Sequence, residues 1–283
     1  MAKLFVNNLT IIDFSLLDQE RGIVGESWRV DVELEGELNS QGMVLDFSDV
    51  KKQVKLTIDQ HFDHKLLVPA SNSKCQITEQ LAESEIVFRL YTGERIRHKS
   101  PTTAICRIDA DQIDQQSMAA AIMQKLLPEL PENVVEFKLM LQHEATSDPS
   151  FHYSHGLKQH CGNCQRIAHG HRSRIEIIQD GVRNREVEGE WAELWRDIYI
   201  GTSTDLVDEF SADGEEYLRF GYQADHGSFS LELPKRLCYL IETDSTVENL
   251  AQHIADKLKQ DNPDSDFQVR VFEGVDKGAI GSA

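Results

Sequence analysis

The sequence predicts an α+β protein built as two tandem copies of one unit, with a metal-binding cluster in the second copy. Three observations carry this expectation. Strand-like alternation recurs in the same order in both halves, each half closes with an amphipathic helix and a final strand, and His155, Cys161, Cys164, His169 and His171 fall within 17 residues. The halves divide at Thr146-Ser-Asp-Pro149, a short polar break with proline, giving units 1–146 and 147–283.

In the first unit, residues 28–34 alternate apolar and polar side chains and read as a strand. Asp46 is placed to cap a helix in which Phe47, Val50, Val54 and Ile58 share one face, and which ends before Phe62-Asp63-His64. Strand-like runs follow at 86–91 and 103–108, then a helix over 117–127 and a strand over 134–141. The second unit repeats the order with strands over 174–178, 217–220 and 237–241, a helix over 246–258 and a last strand over 267–272. The place of the first unit's helix end is taken by Trp191-Ala-Glu-Leu-Trp-Arg196 and Asp205-Leu-Val-Asp208, which lack an Asp-His pair.

The histidine cluster asks for a metal. Side chains alternate faces along a strand, so His169 and His171 point the same way. The apolar stretch containing Phe151 and His155 could pair antiparallel with that strand and bring a third imidazole alongside. Three neutral histidines make a Zn²⁺ site with one position open, the arrangement that separates catalytic from structural zinc. Cys161-x-x-Cys164 does not fit the other uses of such spacing. A zinc ribbon needs a second pair, and a redox pair should open a helix after a strand. One cysteine is therefore read as reactive and the other as incidental.

The 283 residues suffice for two ordinary domains, and 40% hydrophobic content supports a core. No apolar run reaches transmembrane length and the first residues carry no secretory pattern, so no membrane association and a cytoplasmic location are expected. Five cysteines do not form an even disulfide framework, in keeping with a reducing compartment. A net charge of −19 argues against nucleic acid. Against that acidity, Lys158, Arg166, Arg172 and Arg174 surround the histidines, and Arg95, Arg97, His98 and Lys99 form a second basic patch. Either is a solvated face, or the first attracts an anionic substrate.

With these residues in view, the chain resembles the 6-pyruvoyltetrahydropterin synthase and 6-carboxytetrahydropterin synthase family. The motifs that carry the resemblance are Phe151-His-Tyr-Ser-His155, Cys164, His169-Gly170-His171, Gly42-Met43-Val44-Leu45-Asp46-Phe47, Asp63-His64-Lys-Leu-Leu67, Ser245-Thr246-Val-Glu248-Asn249 and Val269-Arg-Val-Phe-Glu273. It implies two tunnelling-fold units, antiparallel sheets with helices on one face. It also implies Zn²⁺ on His155, His169 and His171, with Cys164 as base and Cys161 as its rival. Asp63-His64 would be the second acid–base pair, Glu273 the carboxylate that receives pterin N–H groups, and Thr246 part of the pterin pocket. Family sites lie between adjacent units, so a tandem could draw metal and cysteine from one half and Asp63-His64 from the other. Two features depart from the pattern. In the first unit Asp13, Val24 and Glu26 stand where metal histidines are expected, so that unit should hold no zinc, and Asp225-His226 falls in a later hairpin as a weak substitute for the missing dyad.

The reaction the resemblance implies is a zinc-dependent lyase step on the side chain of a reduced pterin such as 7,8-dihydroneopterin triphosphate. It would be of the 6-carboxytetrahydropterin synthase kind on the way to queuosine-type deazapurines, or of the triphosphate-eliminating 6-pyruvoyl kind. An inactive zinc- and pterin-binding protein is a third reading. A plain zinc hydrolase is disfavoured because no carboxylate base lies near the histidines in sequence. A homo-oligomer is expected, since such units leave sheet edges that another copy could cover. The acidic stretch 197–216 has no counterpart in the family pattern.

Overall fold

The computed structural model describes residues 1–283. The first unit comprises β1 (Ala2–Asp18), β2 (Gly22–Gly36), α1 (Phe47–His61), β3 (Leu66–Pro69), β4 (Cys75–Gln80), β5 (Glu83–Arg89), β6 (Arg95–Pro101), β7 (Ile105–Ile108), α2 (Gln115–Leu126) and β8 (Val134–Gln142). The second comprises β9 (Ser150–His155), β10 (His169–Gln179), β11 (Val182–Arg183), α3 (Arg185–Leu194), β12 (Ile198–Thr202), β13 (Leu206–Ala212), β14 (Glu215–Ala224), β15 (Gly227–Pro234), β16 (Cys238–Ile241), α4 (Val247–Asp261), β17 (Phe267–Phe272) and β18 (Gly278–Ser282). No helix is long and apolar enough to cross a membrane.

The expected helices form for the expected reasons. Asp46 caps α1 by accepting from Ser48 N, and Val50, Val54 and Ile58 turn inward. Thr246 caps α4, whose Leu250, Ala251, Ile254 and Ala255 are fully buried. In each unit the helices lie on one face of a sheet, ordered β7-β3-β1-β2-β8 in the first and β16-β12-β9-β10-β17-β18 in the second. Phe14, Trp28, Val54 and Met118 belong to one core, and Phe151, Trp195, Leu250 and Val269 to the other.

One expectation needs correction. The sheets are mixed, because β3 and β7, like β12 and β16, join parallel to the central antiparallel pair. The run at 86–91 falls in β5. It enters a third sheet, ordered β13-β14-β15-β6-β5-β4, in which β6 of the first unit pairs with β15 of the second. Its inward face, with Ile86, Phe88, Phe220 and Leu231, shares a core with Leu17, Ile23 and Leu66 and with Ile167 and Tyr199. Alternation alone marks a strand as half-buried but not which sheet it joins.

The basic patch on β6 is thereby neutralised: Arg97 meets Glu85, Lys99 meets Glu83, Arg95 meets Asp213, and His98 turns inward. The acidic stretch 197–216 becomes β12, the edge strand β13 and the start of β14. Its charges meet basic partners, Asp208 with Arg219 and both Glu209 and Glu216 with Lys235, which suits an exposed edge.

Candidate metal centre and acid–base dyad

The two units face each other through β1 and β2 on one side and β9 and β10 on the other, in a pseudo-twofold arrangement legible in the strand register. Ser15 pairs with Gly25 in the first unit, Ser154 with Gly170 in the second, and the two serine hydroxyls hydrogen-bond across the seam at 2.7 Å. Both glycines are required by close approach. A Cβ on Gly25 would lie 1.8 Å from the Tyr153 carbonyl oxygen, and one on Gly170 would lie 2.6 Å from Gly25 Cα.

Beside this seam, register places His155 opposite His169, with His171 two residues further along β10 on the same face. All three are at most 1% exposed, and one nitrogen from each lies within 4.8 Å of the others. His155 Nδ1 faces the Ser245 carbonyl at 3.0 Å, His169 Nδ1 faces the Arg166 carbonyl at 2.9 Å, and His171 Nδ1 stands 3.3 Å from Asp13 Oδ1. All three Nε2 atoms are buried without a hydrogen bond, and so is His171 Nδ1, whose near neighbour is the Asp13 carboxylate. Burial, and then the neighbouring imidazoles, push His155 and His169 well below the ordinary histidine range, so they are neutral. Three buried imidazoles whose Nε2 atoms are orphaned together fit a zinc ion with an open position.

Asp63-His64 comes to the same place within the same chain. The His64 ring centroid lies 5.4 Å from that of His169 and 6.0 Å from that of His171. The dyad follows α1 at a corner where His64 takes φ 53°, which turns its side chain toward β10. His64 Nδ1 and Asp63 Oδ2 are 2.5 Å apart, and Arg166 donates to both dyad carbonyls at 3.2 and 3.1 Å. Burial alone would lower His64, but its bond to Asp63 and the nearby Cys164 thiol raise it to about 10. With Nδ1 committed to Asp63, Nε2 is the atom left for Cys164.

Cys164 lies on a short turn held by Leu157 N at its carbonyl, whereas Cys161 is exposed. The following residue, Gln165, accepts from Tyr222 Oη and from His226 N. The hairpin bearing Asp225-His226 therefore braces the Cys164 turn and does not replace the dyad. The place equivalent to Asp63-His64 is Arg196-Asp197, where Asp197 also takes a positive φ, 55°.

Glu273 follows β17, its Oε1 3.9 Å from His171 Nε2 and its Oε2 3.8 Å from Lys277 Nζ. The side chains of Asp63 and His64 are 18% exposed and that of Glu273 26%, so these residues form the rim through which the buried imidazoles are reached. The Thr246 hydroxyl is committed to Asn249 N as a helix cap, while its neighbour Ser245 holds His155. Hollows of 330 Å³ beside α1 and 440 Å³ beside α4 are lined by other residues.

The first unit's counterpart has lost its ligands, with one correction to the positions expected from sequence. Register puts Leu16, not Asp13, where His155 stands, with Val24 for His169 and Glu26 for His171. Asp13 corresponds instead to His152. Buried Glu26 faces His152 at 3.3 Å and His143 at 3.6 Å, and Arg21 pairs with Asp197. Ion pairs and apolar side chains thus occupy the place of a second imidazole cluster.

Comparison with known proteins agrees with this doubled construction. The family model for 6-pyruvoyl tetrahydropterin synthase matches residues 15–138 and again 144–281. The chain belongs to that family. Its two halves are tandem tunnelling-fold units. It is 27% identical over 127 residues to a protein of Pyrococcus abyssi provisionally named 6-carboxy-5,6,7,8-tetrahydropterin synthase, covering 45% of this chain and 72% of that one. A protein of the same provisional name from Archaeoglobus fulgidus is 37% identical over 71 residues, 23% of this chain and 61% of that one. Among solved structures, a 6-pyruvoyltetrahydropterin synthase of Plasmodium vivax aligns with TM-score 0.42 and 20% identity over 52% of this chain and 93% of that one.

Proposed function

We propose that the protein is a zinc-dependent lyase acting on the side chain of a reduced pterin, 7,8-dihydroneopterin triphosphate, in the manner of a 6-carboxytetrahydropterin synthase serving queuosine-type deazapurine synthesis. The observation that carries this reading is the meeting, in one chain, of three orphaned imidazole nitrogens with Cys164 and the Asp63–His64 pair. The names given to the archaeal relatives support it.

His155, His169 and His171 would hold the zinc, and the chemistry it supplies when bound is Lewis acidity toward oxygens of the substrate side chain. Cys164 takes the proton from the side-chain carbon. His64, held protonated by Asp63, returns one through Nε2. Arg166 fixes the dyad's backbone so that this proton path keeps its length. Glu273 at the rim accepts N–H groups of the pterin ring, a bidentate match for a carboxylate, and the backbone around Ser245 and Thr246 completes the pocket. Further copies of the chain, added at the sheet edges formed by β8 and β16, are the proposed partners.

The test is incubation of zinc-loaded protein with 7,8-dihydroneopterin triphosphate and identification of products by mass. A 6-carboxypterin with acetaldehyde is expected. A 6-pyruvoyl product with released triphosphate would instead favour the reaction for which the family is named. Tight pterin binding without turnover would favour a binding protein.

A further inference from the structure

We propose that Asp13, a residue of the first unit, is the positioning residue of the second unit's metal centre: its carboxylate orients His171 and its backbone sets the dyad against that ring. The inference rests on the reading of the histidine cluster as a zinc site. Five connections meet on this one residue, which is 4% exposed. Oδ1 lies 3.3 Å from His171 Nδ1 and accepts from Ser27 Oγ at 2.5 Å. Oδ2 accepts from Lys277 Nζ at 3.2 Å. Asp13 N donates to Asp63 Oδ1 at 3.0 Å, and its carbonyl accepts from His64 N at 2.7 Å.

The three imidazoles are not supported alike. His155 and His169 rest on backbone carbonyls of their own unit, so their orientation comes with the fold. His171 alone depends on a carboxylate, supplied from the other unit. His171 Nδ1 has no other polar partner, and a carboxylate 3.3 Å away favours the tautomer with the proton on Nδ1, which leaves Nε2 for metal and makes it more basic. Lys277 stands between Asp13 and Glu273, at 3.2 and 3.8 Å, and links the metal side of the site to the rim carboxylate. The backbone at Gly274 passes close to this carboxylate, where a Cβ would come within 2.6 Å of Oδ1. Across the pseudo-twofold axis the same pairing recurs as Glu26 with His152 at 3.3 Å. In both cases the acid comes from the first unit, and only the contact at His171 adjoins a complete imidazole cluster.

The full-length chain and its D13A and D13N variants are compared by zinc titration against a chromogenic chelator and by the visible spectrum of the Co²⁺-substituted proteins. D13A should bind zinc about 10- to 100-fold more weakly and show a shifted Co²⁺ spectrum. D13N, isosteric and still offering an acceptor oxygen to His171, should recover part of both. It also carries the test if D13A does not fold. Affinities within twofold of wild type and an unchanged spectrum in the folded variants would overturn the proposal while leaving the zinc reading intact. A wild-type protein that binds no zinc would overturn both.

Discussion

At the scale of single residues, the proposed base is Cys164 because it adjoins His64, whereas Cys161 faces solvent. C164A should therefore lower turnover of the pterin substrate by about 10²- to 10⁴-fold, the usual worth of a positioned acid or base, while zinc content by atomic absorption stays at the wild-type level. C161A should lie within twofold of wild type in the same assay, and equal losses in the two variants would contradict the assignment. Spacing in the sequence located the imidazoles because His169-x-His171 and the strand carrying His155 are local patterns. Arg166, Ser245 and Asp13 were not legible in these roles. Each supports a partner through a contact that no period in the sequence records, and for Asp13 the partner lies 158 positions away in the other unit. The misplacement of Asp13 as a relic ligand has the same origin, since only the register of β1 against β2 identifies Leu16 as the counterpart of His155.

At the scale of elements, the corner after the first helix of each unit shows what divergence did. Phe62 and Trp195 both plug the core, and the residue two positions on takes a positive φ in both units, as His64 in one and Asp197 in the other. One corner delivers an imidazole to the cluster, and the other delivers a carboxylate to Arg21. The helices themselves were legible from caps and apolar spacing. The assembly of β4, β5 and β6 with β13, β14 and β15 into a separate sheet was not, because alternation does not name a partner strand. The seam between β2 and β10 depends on glycine at two points. G25A would press a methyl group into the Tyr153 carbonyl and should destabilise the protein by about 1–3 kcal/mol in urea unfolding, an overpacking cost with backbone on the opposing side. An unchanged midpoint would mean that the units do not pack as closely as described.

At the scale of the whole molecule, three cores are tied together by the seam and by the sheet shared between units, which bring Asp63 and His64 of one half beside the histidine cluster of the other. The shared sheet also sets a pH response. His98 on β6 is buried against the common core, and burial pushes it down to about 4 from its ordinary value near 6.5. Its folded-state value is depressed, so its contribution is fully present above about 6.5 and drains away as pH falls toward 4, by about 3 kcal/mol in all. Urea unfolding at pH 7.5 and pH 4.5 should show a loss that shrinks in H98L; equal losses in both proteins would remove His98 from the account. The central claim is that one chain carries one complete metal site, built in the second unit and closed by the first. Metal analysis of the purified full-length chain tests it most directly. One zinc per chain, lost in H169A and retained in E26Q, is the predicted result; two per chain, none, or a zinc that survives H169A would contradict it.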